Sequence, residues 1–243
     1  MNLLIQFPTY ARSEKFLRVL KKYVETCSGL HNVFFNINCD AADLTMTDKG
    51  VQDRVCEVLG GGPPCVSGLI NFDQNTEKIS AINDNIDKLS RNGRDYWDVV
   101  VCASDDMVPQ EFGWDNEIAT AMNLHFPKLN GCVHFNDGNT NGDLITFSIL
   151  GRELYEFFGY VYHPDYKSLY CDNEFTDEVR RMECEKYIDK VIISHEHWSI
   201  EGSENAGEVD LAVQKTLHYS GRDKQVYEQR KALGFPKERI TQD

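Results

Sequence analysis

From residue 3 to residue 106 the chain alternates four short apolar runs with stretches of helical period, and that alternation constrains the fold more than any other feature. LLIQF (3–7), VFFNI (33–37), CVSGLI (65–70) and VVVCA (99–103) read as strands. Between them, Ser13 is placed to cap a helix carrying Phe16, Leu20, Tyr23 and Cys27 on one side. A short helix is predicted over about 51–59, before the GGGPP break at 60–64. Thr76 can cap a third helix with Ile79, Ile82, Ile86 and Leu89 on one side, ended by RNG at 91–93. Strand–helix repetition of this kind predicts an α/β fold: a mainly parallel central sheet between two layers of helices, α/β/α, with ligands beyond the carboxyl ends of the strands.

The remainder is more mixed. The pattern predicts a helix near 111–122, strands near 131–135 and 144–150, a helix opening at GRE (151–153), another near 172–184, and a strand YIDKVII (187–193) running into SHEHW (194–198). After about 201 the signal weakens to helix or irregular tail. With 243 residues, one domain is expected, its halves 1–107 and 108–200, followed by a basic, partly helical extension at 201–243. Hydrophobic residues at 41% and charged residues at 26% exclude a mostly disordered chain. No apolar run approaches the roughly 18 residues of a membrane span, and the opening MNLLIQFPTYARSE has no basic region ahead of a long apolar stretch. Eight scattered cysteines without a CxxC pair read as reduced thiols. Together these predict a soluble, unsecreted, cytoplasmic protein. A net charge of −14 opposes unspecific adhesion to nucleic acid. The exception is the segment from Lys215 to Arg239, with seven Lys or Arg against three acids, which is either a solvated helix face or a surface for an anionic partner such as DNA.

The fourth strand delivers Asp105 and Asp106 side by side, in SDDM (104–107). Adjacent carboxylates raise each other's pKa and are costly unless something neutralises them. Taken alone, an Asp-Asp pair fits a solvated turn; at the end of a buried strand it fits a metal and an anionic ligand. In order along the chain, PTYAR (8–12), NCD (38–40), NTEKISAIN (75–83), SDDM and CDNEF (171–175) resemble the motifs of GT-A nucleotide-sugar glycosyltransferases, family 2 in particular, over about residues 3–198. The resemblance implies the GT-A (Rossmann-like) fold and assigns roles. Pro8, Thr9 and Arg12 belong to the nucleotide-binding turn; Asp40 meets the base; Asp105 approaches the ribose; Asp106 holds a divalent metal. Where the family places an arginine this chain has Ile82, and Lys78 is the substitute. Asp172 takes the place of the catalytic base and Glu174 that of the neighbouring acid, although the acid expected just before Asp172 is Cys171. Asp172 also suits a helix cap.

His195 and His197 alternate onto one strand face, and the resemblance makes one of them a metal ligand. Carboxylate plus imidazole suits Mn2+, with Mg2+ also suitable, better than calcium. DGNTNGDLITFS (137–148) fits a calcium loop at several positions but lacks the closing glutamate and follows a strand, so it reads as a turn between strands. Trp114 and Asp115, soon after the metal motif, are candidates for the acceptor side, as are Arg152, a candidate diphosphate contact, and Glu174. The function implied is a metal-dependent, inverting transfer from a nucleoside-diphosphate sugar, UDP first, to a hydroxyl of a glycan, a protein or a hydroxylated DNA base. The alternatives are a nucleotidyltransferase, against which PTYAR lacks the usual glycines, and a nonenzymatic nucleotide-sugar-binding module.

Overall fold

In strand β1 (Asn2–Thr9) the side chains of Leu3, Ile5 and Phe7 pack to one face of the sheet and Leu4 to the other, so the strand is buried on both sides. The same division runs through β2 (Asn32–Asp40) and β4 (Val99–Cys102) and produces two cores. On one face, Phe16, Leu20 and Tyr23 of α1 (Ser13–Glu25), Val51 and Val55 of α2 (Lys49–Gly60) and Trp114, Ile118 and Met122 of α4 (Trp114–His125) cover the sheet. The other face is covered by Ile79 and Ile82 of α3 (Lys78–Asn83), Leu154 and Tyr155 of α5 (Arg152–Phe158), and Phe175 and Val179 of α6 (Cys171–Arg181). Each fully buried side chain of this size contributes about 1.5–3 kcal/mol, and the three-layer α/β/α arrangement follows.

This computed structural model describes residues 1–74, 77–86, 97–197, 199 and 209–236. Its central sheet has seven strands in the order β3-β2-β1-β4-β7-β6-β8, where β3 is Val66–Asp73, β6 Cys132–Phe135, β7 Ile149–Gly151 and β8 Glu185–Ile188. All neighbouring pairs are parallel except those of β7, which runs antiparallel to both β4 and β6. A separate antiparallel pair joins β5 (Met107–Pro109) to β9 (Ile193–His195). Among the described residues no helix is long and apolar enough to cross a membrane, and all eight cysteines are free thiols.

Several local expectations change. Ser13 is the first residue of α1 rather than its cap: Arg12 occupies the cap position without a side-chain cap bond, its guanidinium engaged elsewhere. The predicted third helix is six residues long; Thr76, Leu89 and the 91–93 turn fall outside the described residues. Amides reaching up from the sheet satisfy the carbonyls at its end, with Asn38 Nδ2 donating to Ala81 O at 3.1 Å and Gln6 Nε2 to Asp84 O at 2.7 Å. The predicted strand 144–150 shrinks to β7, because Asp137 organises the preceding loop: its carboxylate accepts from Asn139 N (2.8 Å), Thr140 N (2.8 Å) and Thr146 Oγ1 (2.7 Å). YIDKVII divides between β8 and β9, which belong to different sheets.

Beyond the segment where the sequence signal fades is a 22-residue helix, α7 (Leu211–Ala232). Val213 is buried and Val226 and Tyr227 pack against the core, and buried charges fix the helix in place. The buried Asp223 carboxylate accepts the backbone N–H groups of Lys167, Ser168 and Leu169 at 2.8–3.1 Å, and buried Arg230 donates twice to Glu174 at 2.8 Å. Each described cation of the basic segment has an acidic neighbour within 4.0 Å: Lys215 with Asp40, Arg222 with Asp223, Lys224 with Glu228, Arg230 with Glu174 and Lys231 with Asp177.

Candidate active site

The carboxyl ends of β1, β2 and β4, the start of α3 and α6, the β9 end and the first turns of α7 enclose one cleft. This is where an open parallel sheet leaves room for a ligand. Pro8, Thr9, Arg12, Asp40, Lys78, Asp105, Asp106, Asp172, His195 and His197 all line it. Ten residues scattered over nearly 190 positions therefore meet at one place.

The two adjacent aspartates are neutralised separately. Asp105 turns toward the PTYAR segment, accepting from Arg12 Nη1 at 2.9 Å and from Thr9 Oγ1 at 3.1 Å. Burial, reinforced by the charge of Asp106, raises its pKa despite Arg12. Asp106 turns the other way, bonded by Ser104 Oγ, with His195 Nε2 3.7 Å from its Oδ1. Burial alone would raise Asp106 too, but His195, Lys78 and Ser104 together hold it well below the usual carboxylate range. The β5–β9 pair creates this juxtaposition. Met107 sits opposite His195, and Glu196 N donates to Asp106 O at 2.7 Å, so the strand after the aspartates carries the histidine back to them.

His197 lies past the end of β9, so the strand expected to carry both histidines carries only His195; the two rings are nevertheless 5.2 Å apart. Burial and the neighbouring His195 push the His197 pKa down to about 4, leaving a neutral imidazole near neutral pH. Among the described residues no three His, Cys, Asp or Glu side chains converge as a ready metal cage. Asp106 and His195 instead offer one carboxylate and one imidazole. That donor set fits a divalent cation whose other ligands are water and phosphate oxygens, as Mg2+ and Mn2+ accept.

Across the cleft, Asp172 lies in the first turn of α6. Asp172 Oδ1 accepts Asn173 N at 3.0 Å, so it satisfies a first-turn amide of α6 even though the N-cap position itself is Tyr170, in the left-handed region at φ 62°. An L-residue there costs about 1–2 kcal/mol, and the kink sets Cys171 and Asp172 on the cleft wall. Burial raises the Asp172 pKa, partly offset by Lys78. Burial thereby makes this carboxylate a stronger base than an ordinary aspartate, the property a general base needs.

Four expected acceptor-side residues are elsewhere. Trp114 is fully buried in the core, edge-on to Tyr23 and donating Nε1–H to Tyr23 O at 3.0 Å. Asp115 is also fully buried and accepts from Ser28 N at 2.7 Å and Ser28 Oγ at 2.6 Å. Arg152 stacks over Trp97 at 4.8 Å and donates to Trp97 O and Glu156, and does not line the cleft. Glu174 is consumed by Arg230 and by Tyr166 Oη at 2.7 Å. In place of these, the cleft is lined by Tyr10, Thr146, Tyr162, Lys167, Lys215 and Tyr219. Tyr10 stands inside PTYAR and could have been singled out; Lys215 is marked in the sequence only as the start of the basic segment, and nothing marks Tyr219.

The strand order, the three layers and the position of this cleft are those of the GT-A fold. Solved structures make the likeness concrete. A mannosyltransferase from Pyrobaculum calidifontis, in complex with GDP-Man and Mn2+, matches with a TM-score of 0.52 at 13% identity, over 78% of this chain and 55% of that one. S. aureus TarS 1–349 matches at 13% identity with a TM-score of 0.57, over 97% of this chain and 79% of that one. Its complex with UDP-GlcNAc matches at 13% identity with a TM-score of 0.56, over 80% of this chain and 58% of that one. The chain thus spans little more than half of the mannosyltransferase and of the UDP-GlcNAc complex. No protein-family model matches the sequence, and no curated protein matches it.

Proposed function

We propose that this protein is a metal-dependent glycosyltransferase that moves a sugar, with inversion, from a nucleoside-diphosphate sugar to a hydroxyl acceptor. The observation that carries the reading is the end of β4: Asp105 is committed to Arg12 and Thr9 while Asp106 is left facing His195, within a cleft that also holds Asp172. The fold shared with the mannosyltransferase and with TarS supports it. In this reading Pro8, Thr9 and Asp40 hold the nucleoside and Asp105 its ribose. Asp106 and His195 would hold Mn2+ or Mg2+, which when bound stabilises charge on the departing diphosphate, worth several kcal/mol. Lys78 adds a fixed cation on the same side. Asp172 accepts the acceptor's hydroxyl proton; the oxygen forms its bond to the anomeric carbon as the bond from that carbon to the phosphate oxygen breaks. Arg12, saturated by Asp105 and Asp210, acts as a strut rather than as a phosphate ligand.

The acceptor is a hydroxyl compound, a glycan, a protein side chain or a hydroxylated base in DNA, and its hydroxyl is delivered on the Asp172 side of the cleft. The test is turnover: a panel of nucleotide sugars with Mn2+, following release of nucleoside diphosphate. Release from at least one donor, abolished by Asp172→Asn with donor binding retained, is expected. Pyrophosphate release from nucleoside triphosphates instead would replace the reading with nucleotidyl transfer.

A further inference from the structure

Helix α7 brings to the cleft one side chain whose surroundings are those of a reading group. Lys215, in the second turn of α7, holds Nζ 3.9 Å from the centre of the Tyr10 ring and 3.6 Å from Asp40 Oδ2. Tyr10 follows β1 and Asp40 ends β2, so three elements meet at this one ammonium. Asp40 is itself oriented: its Oδ1 accepts Ala42 N at 2.9 Å, which turns Oδ2 toward Lys215.

An ammonium carries three hydrogens. At 3.6 Å its approach to Asp40 is an ion pair longer than a hydrogen bond, and the contact with Tyr10 uses the ring face. The ammonium therefore keeps a hydrogen to donate, and Asp40 Oδ2 keeps lone pairs to accept, side by side at the nucleoside end of the cleft. We propose that Lys215 and Asp40 together read the base of the donor, Lys215 donating to a ring carbonyl while Asp40 Oδ2 accepts the adjacent ring N–H. This rests on the donor-site reading above and extends it to base selection by a residue of the C-terminal helix.

The pair is complementary to a lactam edge, a carbonyl next to an N–H, which uracil and guanine present. Read at the edge formed by O4 and N3 of uracil, or O6 and N1 of guanine, cytosine would set an unprotonated ring nitrogen against the Asp40 carboxylate and an amine against the ammonium, two mismatches at once; adenine fails likewise. Leaving buried polar groups of a site unpaired is the strongest device a pocket has for rejecting a near-isostere.

The test is calorimetric titration of the full chain with UDP, GDP, CDP, ADP and inorganic pyrophosphate, each with Mn2+. The wild type is expected to bind UDP or GDP more tightly than its amino counterpart. Lys215→Met and Lys215→Gln should weaken the preferred nucleotide about tenfold or more and leave pyrophosphate within about twofold, collapsing the preference over CDP or ADP. Retained pyrophosphate binding shows that the variant site is folded. Equal losses for nucleotide and pyrophosphate would move Lys215 to the phosphates and overturn the inference, as would an unchanged preference. Failure of the wild type to bind any of the five would overturn the donor-site reading itself, a result distinguishable from a wild type that binds and variants that bind the same way.

Discussion

Replacing Arg12 with alanine tests the link between the candidate site and the C-terminal helix. Arg12 donates Nη1 to Asp105 at 2.9 Å and Nη2 to Asp210 at 2.8 Å, with Nε also bonded to Asp210, and Asp210 caps α7 by accepting Val213 N at 2.9 Å. The Arg12 side chain is 12% exposed, against 7% for Asp105 and 26% for Asp210. Removing one member of a buried pair costs about 3–5 kcal/mol because a charge is left uncompensated. Asp210 recovers some hydration, and Asp105, already raised in pKa by burial, can take up a proton, so the low end, about 3 kcal/mol, applies here. For a chain of this length that lowers Tm by about 6–12 °C. The pH dependence has a definite sign. Burial alone would raise the Asp210 pKa, but Arg12 and the Val213 amide hold it below the ordinary value. Its contribution is thus fully present above about pH 4, the unfolded-state value, and lost as pH falls through the lower folded value. Urea unfolding followed by circular dichroism at pH 7 and in acid is the assay. The wild-type to Arg12→Ala gap should be about 3 kcal/mol at pH 7, its Asp105 share fading as pH falls through that group's raised pKa and its Asp210 share fading below about pH 4. A gap under about 1 kcal/mol at pH 7, the size of a surface pair, would refute the reasoning.

Three further outcomes are expected. Transfer activity should fall on the acid side with an apparent pKa above that of an ordinary aspartate, because burial raises Asp172; the pH profile of kcat/KM checks this, and a limb at the ordinary value contradicts it. Trp114→Ala should cost about 3–5 kcal/mol in denaturant unfolding while leaving the affinity for nucleotide unchanged, since the indole fills the core and not the cleft. Asp223→Ala should orphan the Lys167, Ser168 and Leu169 amides and destabilise by at least about 2 kcal/mol, with hydrogen exchange at those three amides rising first.

The first half of the fold was readable because its strands are buried on both faces and its helices carry apolar stripes of helical period, and both signals are local. The pairing of β5 with β9 was not: three-residue strands leave no periodicity, so the route by which His195 returns to Asp106 emerges only in space. Helix α7 has only a weak signature in the sequence, that of a helix or irregular tail, for a different reason. Its fully buried positions are Val213, Asp223 and Arg230, two of them charged, while Leu211 and Leu217 are exposed, so the apolar stripe of Val213, Val226 and Tyr227 marks the docking face only weakly. Trp114 was misplaced by the opposite error. Its proximity in sequence to Asp106 suggested the site, whereas the spacing Trp114, Ile118, Met122 is the core stripe of α4. Of the cleft, the carboxylates and histidines at strand ends were legible from chain position and from the family resemblance, while Lys215, Lys167 and Tyr219 depend on tertiary packing.

The central claim, that Asp106 and His195 share a cation with the diphosphate of a sugar donor, is tested most directly by anomalous diffraction from a crystal soaked with UDP and Mn2+. The account predicts a manganese peak within coordination distance of an Asp106 carboxylate oxygen and a His195 ring nitrogen, bridged to the diphosphate. A nucleotide bound in the cleft with no metal peak there, or a peak away from both side chains, would contradict it.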